Sequence, residues 1–381
     1  MRHDGARQGG QADRMPRQPP TTCVDCSGLP GTSDRGQHNA ESVTIRGRLE
    51  FLMAGPLSIL SEVFEWRAGD WAEVRPLDEI LASLDGEGCL ESLPFMPEMI
   101  PYCGQFLRVV KVAHKTCDPT GSTDLRRMKN AVHLETRCDG SHHGGCQAGC
   151  LLFWKTAWLK KPGSHQANAL RPVCDQAALE RATRVGNEDE AVYRCQATEI
   201  VRATARLPST QPMQYVRDIV SRNVTLAEFL WHAPAIYLKG VKNRLARLVG
   251  KSASEGRRVA QRAPLHLRPG EFVQIRPEEE IPETLDRENR NLGLHFESDM
   301  RLYCGEVRRV LGRVERVIDE RNGKMRRIHR DCIVLEGVTC RGLSSRHRLF
   351  CPRGAYAFWR EAWLERTETE NAAVADKQTA S

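Results

Sequence analysis

A short segment, CDGSHHGGCQAGC at residues 138–150, combines side chains that bind transition metals. It places three cysteines and two histidines within thirteen residues, separated mainly by glycine. Thiolate and imidazole groups are common zinc ligands, and glycine lets a loop turn tightly round an ion. We therefore predict a metal-binding loop, although it has no Cys-x-x-Cys pair of the kind that marks many zinc sites.

The cysteine content is informative about the cellular location of the protein. The chain has 381 residues and 14 cysteines, and we find no export signal in it. Its most apolar run, residues 51–60, is shorter than the roughly 20 residues of a membrane span. We expect a cytoplasmic location, where metal ligands and buried thiols are more common than disulfides. Cys23 and Cys26 form an isolated pair, which is a weak zinc signal.

An internal repeat is the strongest pattern in the chain. Residues 67–104 align without a gap with residues 268–305 at an offset of 201, and each copy ends in Tyr-Cys-Gly. The match continues to FWKTAWLK at 153–160 and FWREAWLE at 358–365. A repeat of this length predicts two similar structural units within one chain.

The repeat and the local composition predict five segments. We expect a disordered tail at 1–45, a Cys/His-rich first repeat domain at 66–161, a helical intervening segment at 162–266, a second repeat domain at 267–366 and a disordered tail at 367–381.

Cysteines that recur in both copies are the best candidates for metal ligands. The recurring pairs are Cys103/Cys304, Cys138/Cys340 and Cys146/Cys351, and Cys332 gives the second copy a fourth thiol. In the first copy the fourth ligand could be His142, His143, Cys150 or Cys117. Four Cys or His donors make a closed zinc site, so one structural zinc per copy is one hypothesis. Buried free thiols are the alternative.

The first copy is richer in potential ligands than the second. Cys117, His133 and Cys150 align with Ile318, Val334 and Ala355. This asymmetry suggests that the first copy carries the chemistry. Two centres are possible there. One is an iron–sulfur cluster held by four cysteines: Cys117, Cys138, Cys146 and Cys150. The other is an open zinc or iron site with nearby acid–base groups: His114, His133 or Asp118.

The fold class that we predict is α+β, mostly β, with two tandem SH3-like barrels joined by helices. Each copy starts with glycine and alternating apolar residues, and a short helix fits LDEILASL. Asn322-Gly323 favours a tight hairpin turn between two strands. Tryptophans four residues apart fit one buried face of a terminal helix in each copy: Trp154 and Trp158, then Trp359 and Trp363.

The intervening segment contains helical patterns with N-caps at Asp175 and Thr225, whereas residues 193–203 fit a strand or a loop. Residues Leu238–Lys251 form a basic amphipathic pattern. It could pack on a barrel, bind an acidic protein or lie on an anionic membrane surface, which would make the protein peripheral. Nucleic acid is a less favoured partner because the pattern lacks aromatic residues for base stacking.

Several motifs resemble those of an uncharacterised bacterial family with the same two-half architecture. They are FMPEMIPYCG, HKTCD, CDGSHHGGCQAGC, FWKTAWL, YRCQATE and FCPR, and the resemblance covers residues 60–366. It implies the two-half architecture and no particular activity.

Taken together, the patterns predict a cytosolic metal-binding protein with a zinc or iron–sulfur centre of catalytic or redox type in the first repeat. The alternatives are a non-catalytic interaction module with structural zinc and a nucleic-acid-binding protein. Whether the protein is an enzyme stays open, because no nucleotide-binding loop or nucleophile elbow is present.

Overall fold

A computed structural model describes residues 65–120, 125–163, 174–186, 191–248, 262–345 and 347–367, without side chains for 239–248. All of them belong to one compact unit, Gly55–Ser381. The predicted tail at 1–45, the Cys23/Cys26 pair, residues 368–381 of the second tail and residues 249–251 of the basic pattern lie outside the described residues. Within the described part, no helix is long and apolar enough to cross a membrane.

Most regular elements are strands. The first half (residues 65–163) contains β1 (Trp71–Val74), β2 (Cys89–Leu90), β3 (Leu93–Pro94), β4 (Phe106–Val112), β5 (Lys115–Cys117), β6 (Leu125–Met128), β7 (Ala131–Arg137), β8 (Leu151–Lys155) and β9 (Leu159–Lys160). The intervening segment adds β10 (Arg184–Val185), β11 (Val192–Tyr193) and β12 (Thr204–Leu207). The second half (residues 262–367) contains β13 (Phe272–Ile275), β14 (Arg290–Asn291), β15 (Leu294–His295), β16 (Val307–Arg313), β17 (Arg316–Ile318), β18 (Met325–Arg327), β19 (Ile333–Thr339), β20 (Tyr356–Trp359) and β21 (Leu364–Arg366).

The helices are fewer and concentrate between the halves. They are α1 (Leu77–Ala82), α2 (Gln176–Ala182), α3 (Gln196–Ala203), α4 (Met213–Val220) and α5 (Leu226–Leu248). Short 3-10 helices span Pro97–Tyr102, Thr156–Trp158, Ile281–Thr284, Ser298–Tyr303 and Glu361–Trp363. The protein is thus mostly β with few helices, as the sequence predicts.

Two curled, half-barrel sheets have the same construction. Their strand orders are β8-β7-β4-β1-β9 and β20-β19-β16-β13-β21, with every neighbouring pair antiparallel. Val109 pairs with Leu134 in the first sheet and Val310 with Leu335 in the second, and each strand pair has an irregularity immediately afterwards. Residues aligned at the offset of 201 therefore occupy matching places in the two sheets.

Each half has a core built round two tryptophans and one phenylalanine. Phe95 and Phe296 make edge-on contacts with these rings, and all four indoles are fully buried: Trp154, Trp158, Trp359 and Trp363. Core packing is confirmed, but the predicted terminal helix is wrong. In each half the first tryptophan lies on a strand and the second in the 3-10 helix that follows. A strand followed by one tight turn also brings residues four apart into one core.

The two halves contact each other reciprocally. The backbone N–H of Cys117 on β5 donates to Cys351 Sγ over 3.2 Å, and the N–H of Ile318 on β17 donates to Cys146 Sγ over 3.4 Å. Cys117 and Ile318 are aligned residues, as are Cys351 and Cys146. In each half a hairpin follows the long strand β4 or β16. This hairpin, β5–β6 in the first half and β17–β18 in the second, packs against the cysteine loop of the other half.

A buried ion pair strengthens this junction through α4. Lys115 Nζ lies 2.5 Å from Asp218 Oδ2 and 2.9 Å from the carbonyl oxygen of Leu349, and both charged side chains are inaccessible to solvent. One ammonium thus joins the first half, α4 and the second half. Removing one partner of such a pair leaves a buried charge uncompensated, which costs several kcal/mol.

The intervening helices begin where their caps predict. Asp175 accepts from the N–H of Ala178 at the start of α2. Thr225 and Glu228 form reciprocal capping hydrogen bonds at the start of α5. Residues 193–203 differ from the prediction, because most of them form α3 and only Val192–Tyr193 is a strand. The hairpin at Asn322-Gly323 is confirmed, and it joins β17 and β18.

Helix α5 contains most of the basic amphipathic pattern, residues 238–248. Its backbone runs from Leu226 to Leu248, through Pro234, so the helix starts well before the predicted basic segment. Leu238 is exposed, and the side chains that follow it are not described. The proposed protein or membrane contact of Leu238–Lys251 therefore stays a prediction.

Candidate metal centre

The cysteine loop begins at the end of β7 and ends at the start of β8. The N–H of Cys138 donates to the carbonyl of Cys150 over 2.9 Å and closes the loop. Gly140 has φ +72°, and a Cβ atom there would lie 2.1 Å from the carbonyl oxygen of Cys146. Only glycine fits this position, since both the backbone conformation and the space exclude a side chain. The loop therefore folds back on itself, with His143 buried beneath it and His142 exposed.

Three potential ligands meet beneath this loop. His143 Nδ1 lies 2.6 Å from Glu98 Oε1, and Cys138 Sγ lies 3.9 Å from the same oxygen. Among the described residues, this is the one group of three or more Cys, His, Asp or Glu whose ligand atoms all lie within 4.8 Å of one another. The acid–histidine pair is closed to solvent, with side-chain exposures of 0% for Glu98 and 1% for His143. The triad of Glu98, Cys138 and His143 is the candidate metal centre.

The contacts of His143 fix the role of each ring nitrogen. Its Nε2 lies 3.0 Å from the carbonyl oxygen of Arg194, which can only accept, so Nε2 carries a proton. Its Nδ1 donates to Glu98 Oε1 over 2.6 Å, so an ion that binds Nδ1 would displace that proton. Metal-binding histidines commonly donate their other ring N–H to a carbonyl or carboxylate, which sets the tautomer and orients the ring. His143 is therefore oriented to bind an ion through Nδ1.

Charge at the centre is balanced by hydrogen bonding. Burial acts to raise the pKa of Glu98, but the hydrogen bond and charge of His143 outweigh it, and the N–H of His142 adds a further bond. The pKa of Glu98 is therefore lowered. Burial and the nearby Glu98 charge raise the pKa of the Cys138 thiol well above its usual value. A cation at the centre would reverse that effect, because thiols that bind metals lose their proton.

One carboxylate oxygen of Glu98 has no hydrogen-bond partner. Glu98 Oε2 is buried and makes no hydrogen bond. A buried carboxylate oxygen without a partner is costly, and a metal ligand bond is one way to satisfy it. The donor set of this triad, with a thiolate, an imidazole and a carboxylate, fits the ligands of zinc.

The second half contains part of the same arrangement. Asp299, aligned with Glu98, accepts from the N–H of Leu343 over 2.9 Å and lies 3.6 Å from the sulfur of Cys340. Its Oδ1 is also buried without a partner, and burial raises its pKa. Among the described residues, no histidine brings a ring nitrogen within 4.8 Å of both the carboxylate and the sulfur of this pair. The acid–thiol pair therefore holds a loop in both halves, and His143 is the addition specific to the first.

More thiols lie beside the triad. A cavity of about 40 Å³ is lined by Cys138, His143, Cys146, Cys150 and Cys195. Burial raises the pKa of Cys150 to about 11 and that of Cys195 to about 12, and the other thiols of the group contribute to both shifts. Cys146, Cys150 and Cys195 thus lie near the triad, although none of their sulfurs is within 4.8 Å of all three of its ligand atoms.

The structure adds two residues that the sequence reasoning did not assign. Glu98 was missed because the predicted ligands were recurring cysteines and nearby histidines, whereas Glu98 aligns with a different acid, Asp299. Cys195 was missed because α3 has no counterpart in a second copy. The sequence did contain signals for both: Glu98 lies in FMPEMIPYCG and Cys195 in YRCQATE.

The remaining predicted ligands lie elsewhere. Cys117 and Cys351 contact each other across the junction of the halves. Cys103 and Cys304 are partly buried against the two cores, and Cys332 packs with Val314 and Val334. The four cysteines of the second half do not bring three ligand atoms within 4.8 Å: Cys304, Cys332, Cys340 and Cys351.

The nearby histidines of the first copy are also separate from the triad. His133 is fully buried on β7, and its Nδ1 donates to the carbonyl of Leu152 over 2.9 Å. His114 contacts Asp218 and the carbonyl of Gln214 near α4. Neither has a contact with Glu98, Cys138 or His143 among the interactions of the described residues.

No protein-family model, no curated protein and no solved structure matches this chain. The function has to be argued from the geometry of the chain itself.

Proposed function

We propose that the protein binds one zinc ion through Glu98, Cys138 and His143, and that this ion has a structural role in a non-catalytic interaction module. The observation that carries the proposal is the orientation of His143. Its Nε2 is held by the Arg194 carbonyl, while its Nδ1 points at a buried carboxylate and a thiol.

The donor set favours zinc over an iron–sulfur cluster. Clusters of the common types take four thiolates, or two thiolates and two histidines at one special class of centre. The triad offers one sulfur, one nitrogen and one oxygen, a mixed set that zinc accepts. Cys117, one of the four cysteines expected to hold a cluster, contacts Cys351 of the other half.

The burial of the site favours a structural ion over a catalytic one. A catalytic zinc keeps one position open for water or substrate, whereas a structural zinc has four protein ligands. The carboxylate and imidazole are closed to solvent, and the adjoining cavity of about 40 Å³ is lined by thiols. We propose that Cys146, Cys150 or Cys195 supplies the fourth ligand, which completes a closed tetrahedral site.

The ion would add metal–ligand bonds between elements that already meet through hydrogen bonds to Glu98. Glu98 lies on the 3-10 helix Pro97–Tyr102, Cys138 at the end of β7 and His143 in the loop. The same loop contacts the second half, since the N–H of Gln147 donates to the carbonyl of Arg316 over 3.0 Å. Zinc would thereby fix the loop on which the first half meets the second.

We also propose that each half is an SH3-like barrel. Support comes from the curled five-stranded sheet, its antiparallel order and the short 3-10 helix before the last strand of each half. Small barrels of this type bind other molecules on their surfaces, and fold alone does not decide which.

The experiment is the zinc content of full-length protein and of two matched pairs of variants. His143→Gln and Cys138→Ala should lose most of the bound zinc, because each removes a ligand. The control for the first is His142→Gln, which changes the exposed neighbour, and the control for the second is Cys340→Ala, which changes the aligned thiol. Both controls should keep about one zinc per chain. Equal zinc content in His143→Gln and wild-type protein would contradict the proposal.

A further inference from the structure

A second group of reactive side chains lies at the junction of the halves and contains none of the three triad residues, although its Arg353 and Glu320 also border the cavity of about 40 Å³ beside the triad. Cys117, Cys351 and Arg353 come together there, and Glu320 holds the arginine. Arg353 Nη1 lies 3.6 Å from Cys117 Sγ, and its Nη2 donates to Glu320 Oε1 over 2.6 Å. The N–H of Cys117 donates to the sulfur of Cys351 over 3.2 Å.

These contacts differ from ordinary packing of buried thiols. Leu125 and Leu207 pack beside the two cysteines, which by themselves would suit an apolar cluster. A buried guanidinium directed at a sulfur does not suit such a cluster, because it favours the charged thiolate. Arg353 is only 8% exposed and is oriented by an acid on the hairpin β17–β18.

The aligned contact, between the hairpin of the second half and the cysteine loop of the first, shows that the fold does not require this arrangement. The same backbone contact joins Ile318 to Cys146, so the junction forms without a second thiol. The residues aligned with Cys117, Glu320 and Arg353 are Ile318, Pro119 and Ala148. Of the four residues, only Cys351 has a counterpart of the same type, Cys146, and the other three are replaced at the second contact.

A cavity gives the group access to small molecules. Cys117, Cys351 and Arg353 line a cavity of about 390 Å³ that also includes Glu320 and Cys340. The corresponding cavity of the first half has a volume of only about 40 Å³, because Cys195, Gln196 and Ala197 at the start of α3 also line it. Cys117 is only partly buried, in keeping with this opening.

We propose that Cys117 and Cys351 form a peroxide-reactive dithiol, in which Cys117 is the nucleophile toward a small hydroperoxide and Cys351 resolves the product. The two sulfurs belong to different halves, so the resulting disulfide would link the halves covalently.

The steps balance with a hydroperoxide as the oxidant. The Cys117 thiolate attacks one peroxide oxygen, the O–O bond breaks, and the leaving oxygen takes a proton from solvent to give water or an alcohol. Cys117 is then a sulfenic acid. The Cys351 sulfur attacks the Cys117 sulfur, the S–O bond breaks, and hydroxide leaves with the Cys351 proton as water. Two thiols lose two electrons, and the peroxide gains them.

The electrostatics assign the two roles. The hydrogen bond from the Cys351 thiol lowers the pKa of Cys117, burial opposes this, and the charge and hydrogen bond of Arg353 lower it further against the smaller effect of Glu320. The same contact and burial raise the pKa of Cys351. Cys340, the third thiol of the cavity, has its pKa raised to about 12 by burial and Asp299. Cys117 is therefore the thiolate, and its neighbours stay protonated.

The first test is alkylation of the reduced full-length protein with iodoacetamide at pH 6, followed by peptide mass spectrometry. An ordinary thiol with a pKa of about 8.5 is less than about 1% thiolate at this pH. Burial raises the pKa of Cys103 and of Cys304 to about 11, so they hold even less thiolate than an ordinary thiol. Allowing for the lower nucleophilicity of a low-pKa thiolate, Cys117 should react at least about tenfold faster than either. Arg353→Gln should reduce this preference and Arg353→Lys should restore part of it. Equal rates at the three thiols would overturn the proposal.

The second test treats reduced wild-type protein with an equimolar amount of hydrogen peroxide and maps the products. The expected product is a disulfide between Cys117 and Cys351, and this measurement needs no substitution. In Cys351→Ser, the sulfenic acid should persist at Cys117 and be captured by dimedone, whereas Cys304→Ser should behave as wild type. A disulfide to Cys340, or no dimedone adduct at Cys117 in Cys351→Ser, would contradict the assigned roles.

Discussion

At the residue scale, the chemistry depends on small differences between two aligned sets of side chains. Glu98 with Cys138 and Asp299 with Cys340 make the same acid–thiol contact under a loop. His143 adds a nitrogen ligand to the first pair, whereas no described histidine brings a ring nitrogen within 4.8 Å of both members of the second. The proposed zinc site is thus a structural contact of the fold to which one ligand has been added.

His133 gives a prediction on pH and stability. Burial lowers its pKa from 6.5 to about 4, so the folded protein keeps it neutral. Between those pH values the unfolded chain binds a proton that the folded chain does not. Stability is therefore lost as the pH falls from about 6.5 to 4, by up to about 3 kcal/mol. His133→Val, which introduces the residue of the aligned position, should flatten this part of the pH dependence.

The measurement for His133 is urea unfolding of wild type and variant at a series of pH values from 7 to 4.5. The variant should lose less unfolding free energy over this range than wild type, whatever its stability at pH 7. His142→Gln is the control, since His142 is exposed and should leave the dependence unchanged. An identical pH dependence in wild type and His133→Val would show that His133 is not the group responsible.

At the element scale, α3 completes the edge of the first sheet. The Gln196 amide nitrogen donates to the carbonyls of Phe153 and Pro94, and its oxygen accepts from the N–H of Phe153. One side chain thus supplies the hydrogen bonds that a neighbouring strand would make to the edge strand β8. The same helix start supplies Cys195 and the Arg194 carbonyl that orients His143. The edge cap and the candidate metal centre therefore depend on the same segment.

Gln196→Met tests this cap. Methionine has a similar volume but leaves the buried N–H and carbonyl groups of the strand edge without partners. We expect a loss of about 2–4 kcal/mol in the free energy of unfolding, measured by urea denaturation. The control is Gln105→Met, because Gln105 is exposed and makes one side-chain bond, to the carbonyl of Pro101. A loss no larger than that of the control would mean that the cap adds little to stability.

The elements also show where sequence reasoning succeeds and where it does not. Asp175 and Thr225 cap helices as predicted, because capping depends on residues three positions apart. Residues 193–203 were expected to be a strand or a loop, and α3 forms there because tertiary contacts of Gln196 decide its position. The tryptophan spacing of four fits a helix, but here it spans a strand end and a 3-10 helix.

At the scale of the whole molecule, two halves of like construction meet with each cysteine loop against the hairpin of the other half. The offset of 201 predicts which residues correspond, and the strand pairings of the two sheets follow it. It does not predict contacts between the halves, because an alignment compares positions and does not bring them together. This is why Cys117 and Cys351 were assigned to separate metal sites from the sequence, although they meet at the junction.

The reciprocal junction also separates two kinds of cysteine chemistry. The candidate zinc site lies under the loop of the first half, where histidine and buried thiols meet. The proposed dithiol lies under the loop of the second half, where Arg353 and Cys117 meet. Metal binding and peroxide reactivity would thus use the same structural contact, each on one side of the junction.

The most direct test of the proposed zinc centre is X-ray absorption spectroscopy of the purified full-length protein at the metal's absorption edge. We expect zinc with a mixed shell, in which sulfur lies at about 2.3 Å and nitrogen or oxygen at about 2.0–2.2 Å. In His143→Gln this mixed signal should be lost or change, while in His142→Gln it should be the same as in wild type. An iron edge with an all-sulfur shell, or no bound metal in wild-type protein, would contradict the zinc centre at Glu98, Cys138 and His143.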